Sequence, residues 1–387
     1  MSLVLATGIA SASGAGRVTT YPLPSSSYYF GFTATGMATA DGTVWWSGYY
    51  YADGYEAYET GALGWITPTG VISFTSLGEG NDVTGMATGP DGNVWFTTST
   101  GQIDHTNPGG GYTAITTVTA PGAITTGPDG NLWFTGGGGD GGYIGQVTPA
   151  GTVTTYANTG IYQPDGITAG ADGDLWFTNA GNNSIGQITT TGTVTDLIRP
   201  GISTPATITT DGNHFWIVNR GNTTLTEMGL NGKILRTLSS GISNPQGFTI
   251  GPDHGLWFTN GSSLGRITAG GNVRYYDAPG IDASGGIAAG ADGALWFANG
   301  ASIGRITTSV TPQITALHPS LGPPGKTVTI NGHNLTNTTS VSFNGTPASV
   351  ITDTPDKIVT QVPAGATPGP VTVTTPYGTA TSPQPFT

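Results

Sequence analysis

The sequence has no cysteine. That removes disulfides and thiolate metal sites and leaves the redox compartment undecided. Charge is also scarce. Only 8% of the 387 residues are Asp, Glu, Lys or Arg, with three Lys and four Glu among them, against about a quarter in an ordinary soluble domain. Long helical bundles and coiled coils draw on Glu, Lys, Ala and Leu at helical spacing, so that class is excluded. The ten basic residues are scattered, and the formal net charge is −12. Nucleic-acid binding needs clustered cations that release counterions from phosphate, so no nucleic-acid partner is expected. No apolar run approaches the ~18 residues of a spanning helix, so no membrane span is expected.

Glycine and proline are abundant, with 65 and 26 residues. Such a share raises the question of disorder, but disordered chains lack aromatics. This one has nine Trp, 15 Tyr and 12 Phe. The expected class is all-β and rich in turns. Leu3 to Ala15 is small and apolar, and Ala10-Ser11-Ala12 resembles a cleavage site without a charged segment before it. Residues 1–15 read as a signal-peptide remnant or flexible terminus, which suggests an extracellular or cell-surface location.

The strongest signal is repetition. The phrase Thr126-Gly-Pro-Asp-Gly-Asn-Leu-Trp-Phe-Thr135 recurs, with its Trp at Trp45, Trp95, Trp133, Trp176, Trp216, Trp257 and Trp296. Seven copies near 40 residues imply stacked units that cannot bury their faces alone. In the third copy, short apolar runs at Ala123–Thr126, Leu132–Thr135, Ile144–Thr148 and Thr152–Tyr156 are separated by turn phrases. Four strands per unit and seven units predict a seven-bladed β-propeller over residues 16–310. The repeated Trp is expected to wedge between adjacent blades. The seventh copy lacks a fourth strand after Ser302–Thr307, and Gly16-Arg-Val-Thr-Thr-Tyr21 supplies the missing phrase at the other end. Residues 16–21 are therefore expected to close the ring as the outer strand of blade seven.

Past Thr311 the Trp and the Pro-Asp-Gly phrase disappear, while alternating runs persist at Thr327–Ile330, Ser340–Phe343 and Val371–Thr374. Residues 311–387 predict a small C-terminal immunoglobulin-like β-sandwich. Pro319-x-x-Gly322-x-x-Gly325, Val328-Thr-Ile-x-Gly332-x-Asn334-Leu335 and Phe343-Asn-Gly345 follow the order seen in IPT/TIG domains. That resemblance implies a spacer or a module that docks a protein partner.

The propeller repeat resembles the streptogramin B lyase (virginiamycin B lyase) family. It is carried by Gly127–Thr135, by Ser302-Ile-Gly-Arg-Ile-Thr307 and by Gly151–Tyr156. The resemblance implies seven blades, and a carbon–oxygen lyase that opens a cyclic peptide lactone with magnesium, using His and Glu on the central face. The family's two His follow Pro at the start of an innermost strand. Those positions fall here on Gln246 and Gly285, and the associated Glu positions fall on Ala283 and near Asn299. Elimination needs a base and a group to polarise the carbonyl. No catalytic residue of the family pattern is retained, so catalysis is left open and no cofactor is expected outside the lyase alternative.

Other chemistry is thin. The five His show no zinc spacing. The acids Asp41, Asp91, Asp129, Asp172, Asp211, Asp253 and Asp292 repeat once per blade. They could form a ring of metal ligands, but they sit in turn phrases where Asp caps its own backbone. The stretch between the second and third strands is longest in blade one, where Gly48-Tyr-Tyr-Tyr-Ala-Asp-Gly-Tyr-Glu-Ala-Tyr-Glu59 is inserted. Tyr offers flat apolar area with a polar tip at low entropy cost. The binding candidates are thus Tyr49, Tyr50, Tyr51, Asp53, Tyr55, Glu56, Tyr58 and Glu59. Tyr162, Asp165, Arg220, Gln246 and Asp282 join them on the same face. Asn179, Asn219, Asn260 and Asn299 recur after the second strands, as a polar rim or as loop caps. The expected protein is a monomer that binds a glycan, a peptide or another small ligand.

Overall fold

A computed structural model describes residues 2–5, 9–11, 18–25, 29–52, 58–67, 70–107, 109–137, 141–157, 159–253, 255–268, 271–308, 311–335, 338–354, 357–375 and 378–387. The chain divides into two compact units, Met1–Thr307 and Thr308–Thr387. Among the described residues every regular element is a β-strand.

The first unit is a seven-bladed propeller of antiparallel sheets. Blade three shows the pattern, with Pro121–Thr126 innermost, then Leu132–Gly136, Tyr143–Val147 and Val153–Tyr156. The other blades are built alike. Most share the same local logic in their residue types. Phe134 pairs across the sheet with Gly145, and a Cβ on Gly145 would sit 2.1 Å from the Phe134 ring. Gly186, Gly265 and Gly304 lie equally close to Phe177, Phe258 and Phe297. The Ile-Gly phrase of the third strand therefore exists to seat the Phe of the second. Blade two departs from this. There Asp104, rather than a glycine, pairs with Phe96. Blade five departs too, with Thr226 opposite Ile217.

The repeated Trp does wedge between blades. Trp133 packs with Ile167, Leu175 and Phe177 of blade four. Trp176 packs with Phe215 and Ile217 of blade five, and Trp216 with Leu256 and Phe258 of blade six. Each indole thus fills the core of the next blade, which is where most of its apolar area leaves water.

Closure follows the expected route with slightly shifted bounds. Val18–Pro22 pairs antiparallel with Ser302–Thr307, matching Val18 to Ile306 and Tyr21 to Ile303. Tyr21 stacks on Trp296 with ring centroids 5.5 Å apart. The terminus goes further than the sequence alone suggests. Ile9–Ser11 pairs with Val18–Pro22, and Ser2–Leu5 pairs with Val71–Glu79 at the outside of blade one. Outer strands with unpaired backbone groups accept such additions readily.

The blade-one insertion is a hairpin extension, where the sequence suggests a loop. Tyr29–Ala40, Thr43–Ala52 and Tyr58–Ile66 form long strands that stay paired out to Ala52 opposite Tyr58. The run Tyr49-Tyr50-Tyr51 has high β propensity and continues the ladder.

The second unit is a sandwich of two four-stranded sheets. One holds Gln313–His318, Thr327–His333, Lys357–Gln361 and Val350–Thr354. The other holds Thr346–Ala348, Ser340–Phe343, Val371–Thr375 and Gly378–Thr381. Alternating inward residues, among them Val328, Ile330, Phe343, Ile358 and Val371, make its core.

Candidate functional site at the propeller channel

The innermost strands begin around a central cavity of about 640 Å³. Its wall is built by a ladder of threonines. Thr135 Oγ1 donates to the carbonyl of Asp165 at 2.9 Å, and Thr259 Oγ1 to that of Gly285 at 2.8 Å. Thr97 and Thr178 do the same for Gly122 and Ala206, both at 2.6 Å. Blade five carries Val218 instead of this Thr, and Thr207 Oγ1 donates to the Gln246 carbonyl at 2.9 Å. Each bond crosses to the next blade and fixes the backbone of one channel residue.

The sequence-derived candidates divide into three groups. Asp165, Arg220 and Gln246 come together as cavity-lining residues, and so does Gly285. Arg220 Nη1 bonds Asp165 Oδ2 at 3.0 Å, with both side chains about half exposed. Gln246 Nε2 donates to Asn244 Oδ1 at 2.8 Å. The wall also includes Thr35, Thr84 and Ser284, which the sequence reading did not select. Thr84 lies at the start of the innermost strand Val83–Thr88, Thr35 within Tyr29–Ala40, and Ser284 just before Ile287–Ala289.

Tyr162 and Asp282 stand outside the cavity lining. Tyr162 is 39% exposed. Its backbone N–H donates to Asn179 Oδ1 at 2.9 Å, and that of Asp282 to Asn299 Oδ1 at 2.6 Å. Asn219 and Asn260 take the backbone N–H of Ser203 and Ser243 in the same way. All four Asn side chains are buried. They are loop caps, so the rim reading gives way to a structural one. Asp91, Asp129, Asp172, Asp211, Asp253 and Asp292 are structural too, as acceptors for the blade indoles.

The blade-one group is separate from the cavity. Tyr49 and Tyr51 share a face of the hairpin, with ring centroids 6.2 Å apart. Tyr51 Oη donates to Glu59 Oε2 at 3.3 Å. The Glu59 charge, with burial adding, pushes the Tyr51 hydroxyl above its ordinary value. Asp82 lies beside this group. Burial, then the charge and hydrogen bond of Glu59, hold its carboxyl above the ordinary carboxylate value. Tyr50 points the other way. It is buried and stacks on Phe32 at 4.8 Å. Strand alternation puts its ring in the blade core, so a ligand cannot reach it. Asp53, Tyr55 and Glu56 lie outside the described residues, as does the side chain of Tyr58.

The channel offers little acid–base chemistry. Asp165 and Arg220 are the ionisable residues of its wall, and they neutralise each other. Magnesium favours oxygen ligands, carboxylates above all. Among the described residues no group of three or more His, Asp or Glu could hold a metal ion. The channel residues therefore do not fit the magnesium that the lyase resemblance implies, and no step runs through it. His214, at the opposite turn, lies 3.4 Å from Glu227 Oε1 and 3.5 Å from Asp211 Oδ2. His254 lies outside the described residues.

The profile of the virginiamycin B lyase family matches residues 2–259 and, overlapping, 113–322, and that of the IPT/TIG domain matches residues 312–387. No curated protein matches the sequence. A streptogramin B lyase structure is 27% identical with a TM-score of 0.64, over 76% of this chain and 98% of that one. A catalytically inactive histidine-to-alanine variant of virginiamycin B lyase from Staphylococcus aureus, with quinupristin, is also 27% identical. Its TM-score is 0.64 over 76% of this chain and 99% of its own. A WD40 β-propeller domain at 11% identity shares the fold alone, with a TM-score of 0.57 over 76% of this chain and 97% of that one. With the blades, the ring closure and the profile match all agreeing over most of its length, the chain belongs to the virginiamycin B lyase family and carries a C-terminal IPT/TIG domain.

Proposed function

We propose that this chain is a secreted or surface-displayed binding protein that takes a peptide or glycan on the channel-mouth face of its propeller. The observation that carries the reading is the identity of two wall residues. Gln246 and Gly285 line the cavity where the family pattern has histidine. Neither can remove a proton, and Asp165 is held in an ion pair with Arg220. A wall of Thr, Ser and Gln side chains and Gly-rich backbone suits amide and hydroxyl groups, which such donors and acceptors can satisfy. The inactive histidine variant of the lyase from Staphylococcus aureus, seen with quinupristin, supports the view that such a propeller holds a ligand without turning it over. Tyr49, Tyr51 and Glu59 form a second contact patch on blade one. The C-terminal domain serves as spacer or docking module, and the protein acts as a monomer without a cofactor.

The alternative is the family's own elimination, with Asp165 recruited as base. One experiment separates the two. Quinupristin, a peptide panel and a glycan array are tested for binding, and lactone opening is followed with and without magnesium. The expected result is binding without ring opening, weakened at least about tenfold in Gln246→Ala if that amide bonds the ligand. Ring opening by the parent chain that is lost in Asp165→Asn overturns the binding-protein reading. Binding unchanged in Tyr49→Ala with Tyr51→Ala removes the blade-one patch.

A further inference from the structure

The cations of the propeller are paired unevenly. Among the described residues, Arg220, Arg236, Arg266 and Arg305 each bond a carboxylate, of Asp165, Glu227, Asp253 and Asp292. Arg274 lies over the Tyr276 ring, 4.9 Å from its centroid. Arg199 and Lys233 have no carboxylate partner among the described residues. Both line one depression of about 440 Å³, with Pro200, Asn231 and Ile234.

This depression lies where blades four and five meet. Arg199 directly follows Val194–Ile198, the outermost strand of blade four. Lys233 ends the turn before Ile234–Leu238, the outermost strand of blade five. Arg199 Nε donates to the Gly232 carbonyl at 2.8 Å, and Nη1 to that of Ile198 at 3.2 Å. The guanidinium is thus clamped across the junction by two carbonyls. Its remaining N–H groups, three of the five that guanidinium carries, have no acceptor among the described residues. Asn231 Oδ1 accepts the Lys233 backbone N–H at 3.1 Å and tightens the turn that presents the ammonium group. Pro200, exposed, and Ile234, half-buried, add apolar surface to the wall of the depression beside the two cations.

We propose that this junction is an anion-binding site for a carboxylate or phosphate headgroup carried on an apolar body. A clamped guanidinium loses little freedom on binding, and a planar fork with unused donors suits either oxyanion. Lys233 adds a second positive charge. Pro200 and Ile234, which line the same depression, give the body of the ligand an apolar seat. In a chain of net charge −12, no carboxylate among the described residues already occupies these two cations.

The test is calorimetric titration of the full chain at low ionic strength with four probes below their micellar concentrations. They are octyl phosphate, octanoate, inorganic phosphate and octyl glucoside. At least one of the two amphiphilic anions binds, more weakly as salt rises, and the tighter one identifies the headgroup. Inorganic phosphate binds more weakly and octyl glucoside does not bind. Lys233→Gln leaves the Arg199 clamp intact. It raises the Kd of the amphiphile about five- to tenfold, with an unchanged unfolding midpoint as the folding control. Arg199→Gln with Lys233→Gln removes binding. Failure of both amphiphilic anions to bind overturns the proposal. So does an unchanged Kd in Lys233→Gln, or inorganic phosphate or octyl glucoside binding as tightly as the amphiphile.

Discussion

The indole nitrogen of Trp133 donates to Oδ1 of Asp129 at 3.0 Å. The acid of the turn thus anchors the wedge that fills the next blade. Trp95, Trp176, Trp216, Trp257 and Trp296 bond Asp91, Asp172, Asp211, Asp253 and Asp292 in the same way, at 2.9 to 3.3 Å. Trp133→Phe keeps much of the apolar area and removes the donor. The expected loss is about 1–3 kcal/mol, or about 2–5 °C in Tm for a unit of this size. Calorimetry checks it, and a midpoint equal to the parent's would remove the anchor argument.

These turn acids also set the acid limb of stability. Burial pushes Asp129 up, but hydrogen bonds from Asn131, Trp133 and Gln146 outweigh it and hold the carboxyl below its ordinary value. In Asp91 and Asp211, too, hydrogen bonds outweigh burial and the net direction is down. A depressed folded-state value contributes stability above the unfolded value, and that stability is lost as pH falls through the folded one. Unfolding midpoints should therefore drop steeply below about pH 4. Asp129→Asn should lower the midpoint at neutral pH and flatten that drop.

Asp104 works in the opposite sense. It is 1% exposed, and among the described residues neither buried carboxylate oxygen has a hydrogen-bond partner at full geometry, the Ile115 backbone N–H acting on it only weakly against burial. Burial pushes its carboxyl above the ordinary value. A raised folded-state value contributes stability below the unfolded value, lost as pH rises through the folded one. Asp104→Asn should raise Tm at pH 7 by a few degrees, on the scale of about 1.5–2 °C per kcal/mol, and by less at pH 4. A gain of equal size at both pH values would show that charge is not the cause.

The seat of each Phe predicts a steric cost. A Cβ on Gly145 meets the Phe134 ring at 2.1 Å. Gly145→Ala should destabilise by about 1–3 kcal/mol through overpacking. Gly130 has open space around it but a φ of +76°, so Gly130→Ala is destabilising through backbone strain instead. Combining Gly145→Ala with Phe134→Leu should recover part of the Gly145→Ala loss and none of the Gly130→Ala loss. Chemical denaturation of the single and double variants reads this directly.

Closure by Val18–Pro22 predicts the effect of truncation. Val18 is 3% exposed and packs in the core of blade seven with Phe297 and Ile306. Removing residues 1–22 takes away that strand and the Tyr21 ring over Trp296. The unfolding midpoint should fall by more than about 5 °C. An unchanged midpoint would mean that the ring does not depend on this strand.

Much of the fold is legible because its parts are local. The Trp spacing counts the blades, and the missing fourth strand of the seventh copy points to Val18–Pro22. The channel was legible in part. Asp165, Arg220 and Gln246 follow from repeat position, whereas Thr35 and Ser284 carry no distinctive motif. The Tyr run of blade one was visible as an insertion, but strand alternation sends Tyr50 inward beside Phe32 while Tyr49 and Tyr51 share the other face. The burial of Asp104 is not legible in the sequence, where Gly101 stands in the place of the repeat glycine, while the pairing register puts Asp104 opposite Phe96.

The sequence by itself determined a turn-rich all-β chain of seven repeats and a sandwich, since turn chemistry and strand patterning act over a few residues. It also determined that channel positions of the family pattern hold Gln246 and Gly285. Tertiary structure decided which charges meet. Arg220 reaches Asp165 from another blade, and Arg199 and Lys233 converge on one depression from two outer strands. These pairings depend on how successive blades are rotated about the channel. That rotation is set by packing between sheets, which no local run of residues encodes.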